Sequence, residues 1–428
     1  MDFKLTDEQE LLIESAHEYA TRYFTDEAVK QAYEVDHHIS IEAAMAYREA
    51  GFMLLGLPEE VGGVPVDKLT EVLLVEKLHE YTGVTLPFVT DFNTITDVFD
   101  SVHDHFLLLF GAEVNYVGDG VEVGNEGEGY ASVLMKLLYQ ENLGKFVYRN
   151  TDVIDFGTKE QQEMIMDAIE NVESTCIACC AISEPAAGSD NNAMTCVTKK
   201  QPDGTYLLNG QKTWVTLGGL SIYTMVVAKD EDPSYENDKY SLWLVPNDTP
   251  GFTIGHLDKV GQQAIPFVDQ FFDNVVLTED MRLGEPGMGW KLLMKKLEFE
   301  RCLVVASSLG LAQAALNDAG AYASERICFN KPIAHQTQIQ LHLCEMENII
   351  QNVRTRLYQV VTMIDNGEST RLESALLKGY ACRELTRVAD LAMAIYAAIG
   401  YTKEIRVGRI WADLRGNEMG GGTTEIMV

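Results

Sequence analysis

The chain has 428 residues, 46% of them hydrophobic and 23% charged, enough for two or three domains with large cores. Its formal net charge of −32, from 65 acidic against 33 basic residues, argues against nucleic-acid binding and against docking on an anionic membrane, both of which need a basic surface. Eight cysteines scattered among apolar residues, an opening Met1–Leu5 without an apolar signal core, and no run approaching the roughly 18 apolar residues of a membrane span predict a reduced, cytoplasmic protein.

Residues 1 to about 95 read as helices. Thr6-Asp7-Glu8-Gln9 has the form of a capping box ahead of an amphipathic run to Tyr23. Ile41–Ala50 is a second helix with Gly51 as its stop, and Val66–His79 a third, after a turn-rich Leu57–Gly63 connector. From Asn93 to about Val153 come two apolar stretches around a Gly- and acid-rich loop. Within it, Val117–Gly124 lacks the spacing of a dinucleotide fingerprint, and Asp119 and Glu122 would repel a pyrophosphate. Phe156–Gln161 opens a short helix. From Ile177 to about Leu277 the pattern alternates as strands, with turns expected at Asp203-Gly204, Asn209-Gly210 and Asn247-Asp248. After Gly289, long amphipathic runs over Trp290–Ser324, Gln336–Asn366 and Ser369–Ala398 read as a helical bundle.

Two stretches stand at the centre. In Ala181–Asp190 a strand runs into a turn set by Pro185 and Gly188, presenting backbone N–H groups and the Ser183 and Ser189 hydroxyls to something anionic or carbonyl-rich. In Leu208–Thr216 a strand puts Trp214 and Thr216 on one face, a surface suited to a flat polar ring system. Either motif alone is ordinary: a Ser in a turn is common and a strand Trp is usually core. Cys176-x-x-Cys179-Cys180 has neither a second Cys pair nor a His cluster beside it, so a buried strand is expected there and no metal site.

Taken together, in this order and spacing, the two stretches resemble the flavin-binding middle domain of the acyl-CoA dehydrogenase family. The Leu-Thr-Asp-Glu-Gln opening and the Pro58-Glu59-Glu60-x-Gly62-Gly63 turn resemble its N-terminal helical domain. The implied fold is α+β: an N-terminal helical domain over 1–175 with an insertion near 95–152, a central β domain over 176–285 and a C-terminal helical bundle over 286–428. The resemblance implies FAD as cofactor, held by Ile182, Ser183, Gly188 and Ser189, with Trp214 and Thr216 against the ring. It implies that Arg326, Phe329 and Gln336 reach the FAD of a neighbouring subunit, in a dimer or tetramer, and that Gly400, Thr423 and Glu425 add contacts. Asn330 stands where the family usually has Gly. An acyl-CoA or enoyl-CoA thioester would meet Ser189, Arg301, Gly421 and Gly422, and electrons would pass to an electron-transfer flavoprotein.

One departure bears on the chemistry. Many family members carry the base that removes the α-proton in a closing Glu-Gly-Thr; here that place is Gly421. Part of the family, including the isovaleryl- and long-chain enzymes, places its base where this chain has Glu300. Crotonobetainyl-CoA reductase, an enoyl-CoA reductase, has a similar Glu-Arg pair and a similar Gly-Gly ending. Leu293, Leu297, Glu300 and Val304 share one helical stripe. A carboxylate on that apolar face should lose hydration and hold its proton more tightly, as a general base near neutral pH requires. The alternative is a Glu paired with a basic residue inside the bundle. Arg301, pointing away as an adjacent helix residue, is expected to meet substrate or Glu298. A reading of another class, a non-catalytic scaffold that has lost its base, follows from the same Gly421.

Overall fold

The structure, a computed structural model, describes residues 4–52, 55–56, 64–86, 158, 161, 176–231 and 239–428. The insertion near 95–152, its Val117–Gly124 loop and the Leu57–Gly63 connector lie outside the described residues.

The first domain is helical: α1 (Asp7–Tyr23), α2 (Asp26–Gln31), α3 (Ile41–Glu49) and α4 (Lys68–Thr82). The capping box forms as read. Thr6 Oγ1 accepts the Gln9 N–H at 3.2 Å and Gln9 Oε1 accepts the Thr6 N–H at 3.1 Å, satisfying two donors that have no partner within the helix. Thr158 and Gln161 make the same reciprocal pair, at 2.8 and 3.3 Å. The buried Gln161 amide then donates to the carbonyls of Asp280 and Arg282, which docks this helix start onto the sheet.

The middle domain is one sheet built from β1 (Cys176–Ala181), β2 (Val197–Lys200), β3 (Tyr206–Thr216), β4 (Ser221–Asp230), β5 (Tyr240–Pro246), β6 (Phe252–Leu257), β7 (Phe267–Leu277) and β8 (Arg282–Leu283). Its order is β6-β7-β3-β2-β4-β5-β8, with β1 also paired to β4. Both β1 and β2 run parallel to β4, β1 along Ser221–Val226 and β2 at Lys229 and Asp230. The chain leaves the sheet between them, and residues 182–196, with the Ser-Glu-Pro stretch, fill that departure. The expected turn at Asn209-Gly210 is not a turn. Both residues lie inside β3, where the register against β7 shifts between Leu208 and Gly210. Gly210 has φ 144°, and a Cβ there would lie 2.6 Å from Cys196 Cα. Glycine serves a bulge and a close backbone approach, which a sequence pattern of Asn-Gly does not distinguish from a hairpin.

The third domain carries α5 (Gly289–Glu325, 37 residues), the small hairpin β9 (Ile327–Cys328) and β10 (Lys331–Pro332), α6 (Thr337–Asp365), α7 (Arg371–Tyr396), α8 (Val407–Asn417) and the short α9 (Thr424–Met427). Contrary to the sequence expectation, one stretch, Leu297–Glu325 of α5, is long and apolar enough by composition to cross a membrane. Its most apolar window is 78% buried within the protein, so its apolarity is met by the bundle core. Across the bundle, Arg354 of α6 donates to Gln313 of α5 and to Glu76 of α4, and Glu76 also accepts the Tyr358 hydroxyl. All three domains meet at the buried Asp413 of α8, which accepts from Tyr33, from Thr85 through N–H and hydroxyl, and from the Gln262 N–H of the middle domain.

Candidate active site

The two central stretches are bonded to one another. The Thr213 N–H donates to Ser183 O at 2.9 Å, and Lys212 Nζ donates to Ile182 O at 2.9 Å and to Glu184 Oε1 at 2.9 Å. Lys212 and Glu184 are both buried. Glu184 also accepts from Thr195, through N–H and hydroxyl, and from the Cys196 N–H. Burial pushes its carboxyl up, but Lys212 and these bonds outweigh that and leave it below the usual carboxylate range. The loop carboxylate is thus turned inward and neutralised, while Ser183 is half-buried and Gly188 and Ser189 face outward. Neither Lys212 nor Glu184 was singled out in the sequence reading. Lys212 lies between Gln211 and Thr213 in a strand, so its burial could not be read from its neighbours in the sequence.

Trp214 sits where β3 slips register a second time, between Lys212 and Val215. Its φ is 60°, in the left-handed region that costs an L-residue about 1–2 kcal/mol, and the residue is 59% exposed. Thr216 beside it is half-buried, whereas Val215 between them is buried. A large aromatic held out of the core at backbone expense is a mark of a functional surface. These observations fit a flavin: an outward indole, adjacent hydroxyls, a loop open at Gly188 with nothing within 4 Å of a Cβ placed there, and an internally compensated Glu184.

In the third domain, Glu300 and Arg301 are half-buried on α5, with Phe299 buried beside them. On the stripe read from sequence, Leu293 is buried and Leu297 and Val304 are half-buried. Burial pulls the Arg301 pKa down, while the charges of Glu300 first and Glu298 second oppose it. Glu298 is occupied otherwise, accepting the Thr370 N–H at the start of α7. Arg301 Nε is buried without a hydrogen-bond partner among the described residues. The closing loop turns through Gly421 and Gly422, at φ 64° and 99°. It is held by Lys378 of α7, whose Nζ donates to Glu418 O at 3.0 Å and to Gly422 O. Thr423 is half-buried at the start of α9, and Glu425 is exposed with its carboxyl lowered by local bonds, its own backbone N–H first and the Thr423 side chain second.

The Arg326 group stands elsewhere. Arg326 caps the C-terminal end of α5. Phe329, 83% exposed, and Asn330 form the turn between β9 and β10 with φ 52° and 63°. Two successive positive φ values make a tight hairpin turn, and Asn tolerates that region best after Gly, which explains how Asn330 replaces Gly. Gln336 is half-buried at the start of α6. Gly400 is buried against Met393 and Tyr396, after Ala397 at φ 58°. Glu300 lies on α5 and Arg326 directly follows its last residue, so at about 1.5 Å per residue the two are about 39 Å apart.

Comparison with known proteins agrees with this arrangement. Residues 6–96, 179–275 and 287–428 match, in turn, the N-terminal, middle and C-terminal domains of acyl-CoA dehydrogenases. The chain is 32% identical over its whole length to a protein named probable acyl-CoA dehydrogenase YdiO of Escherichia coli K12, covering 96% of that protein. It is 32% identical to the mitochondrial short-chain specific acyl-CoA dehydrogenase of Rattus norvegicus, over 74% of this chain and 75% of that one. Among solved structures, butyryl-CoA dehydrogenase from Megasphaera elsdenii superposes with a TM-score of 0.78 at 25% identity, covering 100% and 97% of the two chains. The chain belongs to the acyl-CoA dehydrogenase family. It is an FAD-dependent oxidoreductase of the acyl-CoA dehydrogenase type, acting on CH–CH groups, which sets the scaffold reading aside.

Proposed function

We propose that this enzyme interconverts an acyl-CoA and its 2,3-enoyl-CoA with Glu300 as the base at the α-carbon. The observation that carries the reading is the pairing of Glu300, on a largely apolar stripe, with a closing loop that offers only glycines at 420–422. FAD, when bound, supplies the acceptor for the β-hydride. The loop of Ile182, Ser183, Gly188 and Ser189 would hold it, with Trp214 and Thr216 against its ring. Gly400, Thr423 and Glu425 would add contacts to FAD from the third domain. The Gly421 N–H donates to the thioester oxygen as charge develops there, with Ser189, Arg301 and Gly422 around the substrate. Glu300 takes or returns the α-proton.

The 39 Å between Glu300 and Arg326 is too long for both to serve one flavin of their own chain. As the resemblance to the family implies, Arg326, Phe329 and Gln336 would serve the FAD of a second copy, in a dimer or tetramer, which that separation supports, and Arg326 brings the planar fork that suits a pyrophosphate. Electrons pass to an electron-transfer flavoprotein. The Gly421 ending, similar to that of crotonobetainyl-CoA reductase, favours the enoyl-CoA-reducing direction as a second reading within the same chemistry.

The test is anaerobic titration of the FAD-loaded protein with acyl-CoA thioesters of graded length, and of its dithionite-reduced form with the enoyl-CoA counterparts. Glu300→Gln should retain FAD and fold while losing about two to four orders of magnitude in flavin reduction. A Glu300→Gln protein that reduces its flavin at the parent rate would remove Glu300 from the mechanism, and a protein that takes up no FAD would remove the whole assignment.

A further inference from the structure

Lys378 stands on the buried stripe of α7 with Ser374, Leu377, Ala381 and Cys382, and none of its surface is exposed to solvent. A buried ammonium is tolerated only where acceptors replace its water. Its acceptors are the backbone carbonyls of Glu418 and Gly422, which bracket Met419, Gly420 and Gly421. Glu418 is also the C-cap of α8, where unpaired carbonyls and the helix dipole favour a cation. Next to Lys378, a Cβ on Gly379 would lie 3.0 Å from Met427 Cβ and 3.2 Å from Val428 Cγ2, so the segment beyond the loop lies directly on this turn of α7. Burial lowers the pKa of Lys378, opposed by Cys382 and then Glu418; Arg301 lowers it and Glu300 raises it. The ammonium thus lies within the electrostatic reach of the candidate base as well as of the loop.

We infer that Lys378 is the positioning residue of the thioester-binding loop: bonded to both ends of the Glu418–Gly422 bend, it fixes the aim of the Gly421 N–H. This rests on the reading that Gly421 meets the thioester. Three N–H donors on one terminal atom let a single side chain join two carbonyls four residues apart. Glycines at φ 64° and 99° have no side chain of their own to hold the bend.

The experiment compares Lys378→Met, which keeps the bulk and removes the donors, with Lys378→Gln, which keeps a shorter neutral donor, both as FAD-loaded full-length protein. Hydrogen exchange should accelerate at 419–424 by about tenfold or more in the Met variant and less in the Gln variant, with the sheet and the rest of α7 unchanged. Flavin reduction by saturating butyryl-CoA should fall about 100-fold in the Met variant, the scale of losing one aligned oxyanion donor, while its Kd moves less than about threefold. Recovery of part of the rate in the Gln variant supports the grip. Parent-like exchange at 419–424, acceleration spread evenly over the bundle, or an unchanged reduction rate would overturn it. If the parent protein is not reduced by any acyl-CoA, the substrate reading fails, and the exchange measurement still decides whether Lys378 holds the loop.

Discussion

Tyr33 and Asp413, 380 residues apart, share a buried hydrogen bond, and the same carboxyl gathers Thr85 and Gln262 from two other parts of the fold. Burial raises the Asp413 pKa, and the hydrogen bonds, Tyr33 foremost, oppose it without cancelling it. Asp413→Ala leaves several buried donors without an acceptor, each worth about 1–3 kcal/mol. The expected loss is therefore about 3 kcal/mol or more by denaturant titration. Because the folded pKa lies above the unfolded one, the parent should lose stability relative to Asp413→Asn as pH rises through the folded value. A flat difference across that range would contradict the assignment.

His79 is buried and neutral. Its Nδ1 faces Val75 O at 2.7 Å and its Nε2 accepts the Leu86 N–H at 3.1 Å, and burial lowers its pKa to about 4. The unfolded chain therefore takes up a proton near pH 6.5 that the folded chain refuses. Stability present above that pH should fall by up to about 3 kcal/mol on acidification to pH 4. His79→Gln should remove this component. Equal acid sensitivity of parent and variant would show that the slope has another source.

Lys212 and Glu184 anchor the Ser-Glu-Pro loop to β3. Lys212→Met leaves a buried carboxylate uncompensated, a loss of about 3–5 kcal/mol, and frees Ile182 O. The variant should melt earlier and release FAD at lower denaturant than the parent. Glu184→Gln in the Lys212→Met background should recover part of the melting temperature, since it removes the stranded charge. Retention of parent FAD affinity in the single variant would separate the pair from the cofactor loop.

The helices were legible because their signals are local. Thr6 and Gln9 meet as a capping box would have them, and Gly289–Glu325 and Arg371–Tyr396 follow their apolar periods. Asn209-Gly210 misled because a bulge and a hairpin use the same dipeptide, and only the register of β3 against β7 separates them. Trp214 was found by pattern, but its left-handed backbone depends on the second slip in that register. Asp413 and Lys378 could not be ranked from sequence. Each is one polar residue on an amphipathic helix, and its partners lie on segments that only the fold brings near.

The long α5 also behaves as a phase-setting shaft. A helix advances about 100° and 1.5 Å with each residue, so one residue inserted between Arg301 and Glu325 would swing the Phe329–Asn330 turn by more than a quarter revolution relative to the stripe that carries Glu300. Single replacements along that shaft are absorbed locally, one contact at a time. A change in its length is felt at the far end in full, and the span between Glu300 and Arg326 is therefore constrained by its residue count more tightly than by the identity of any one residue within it.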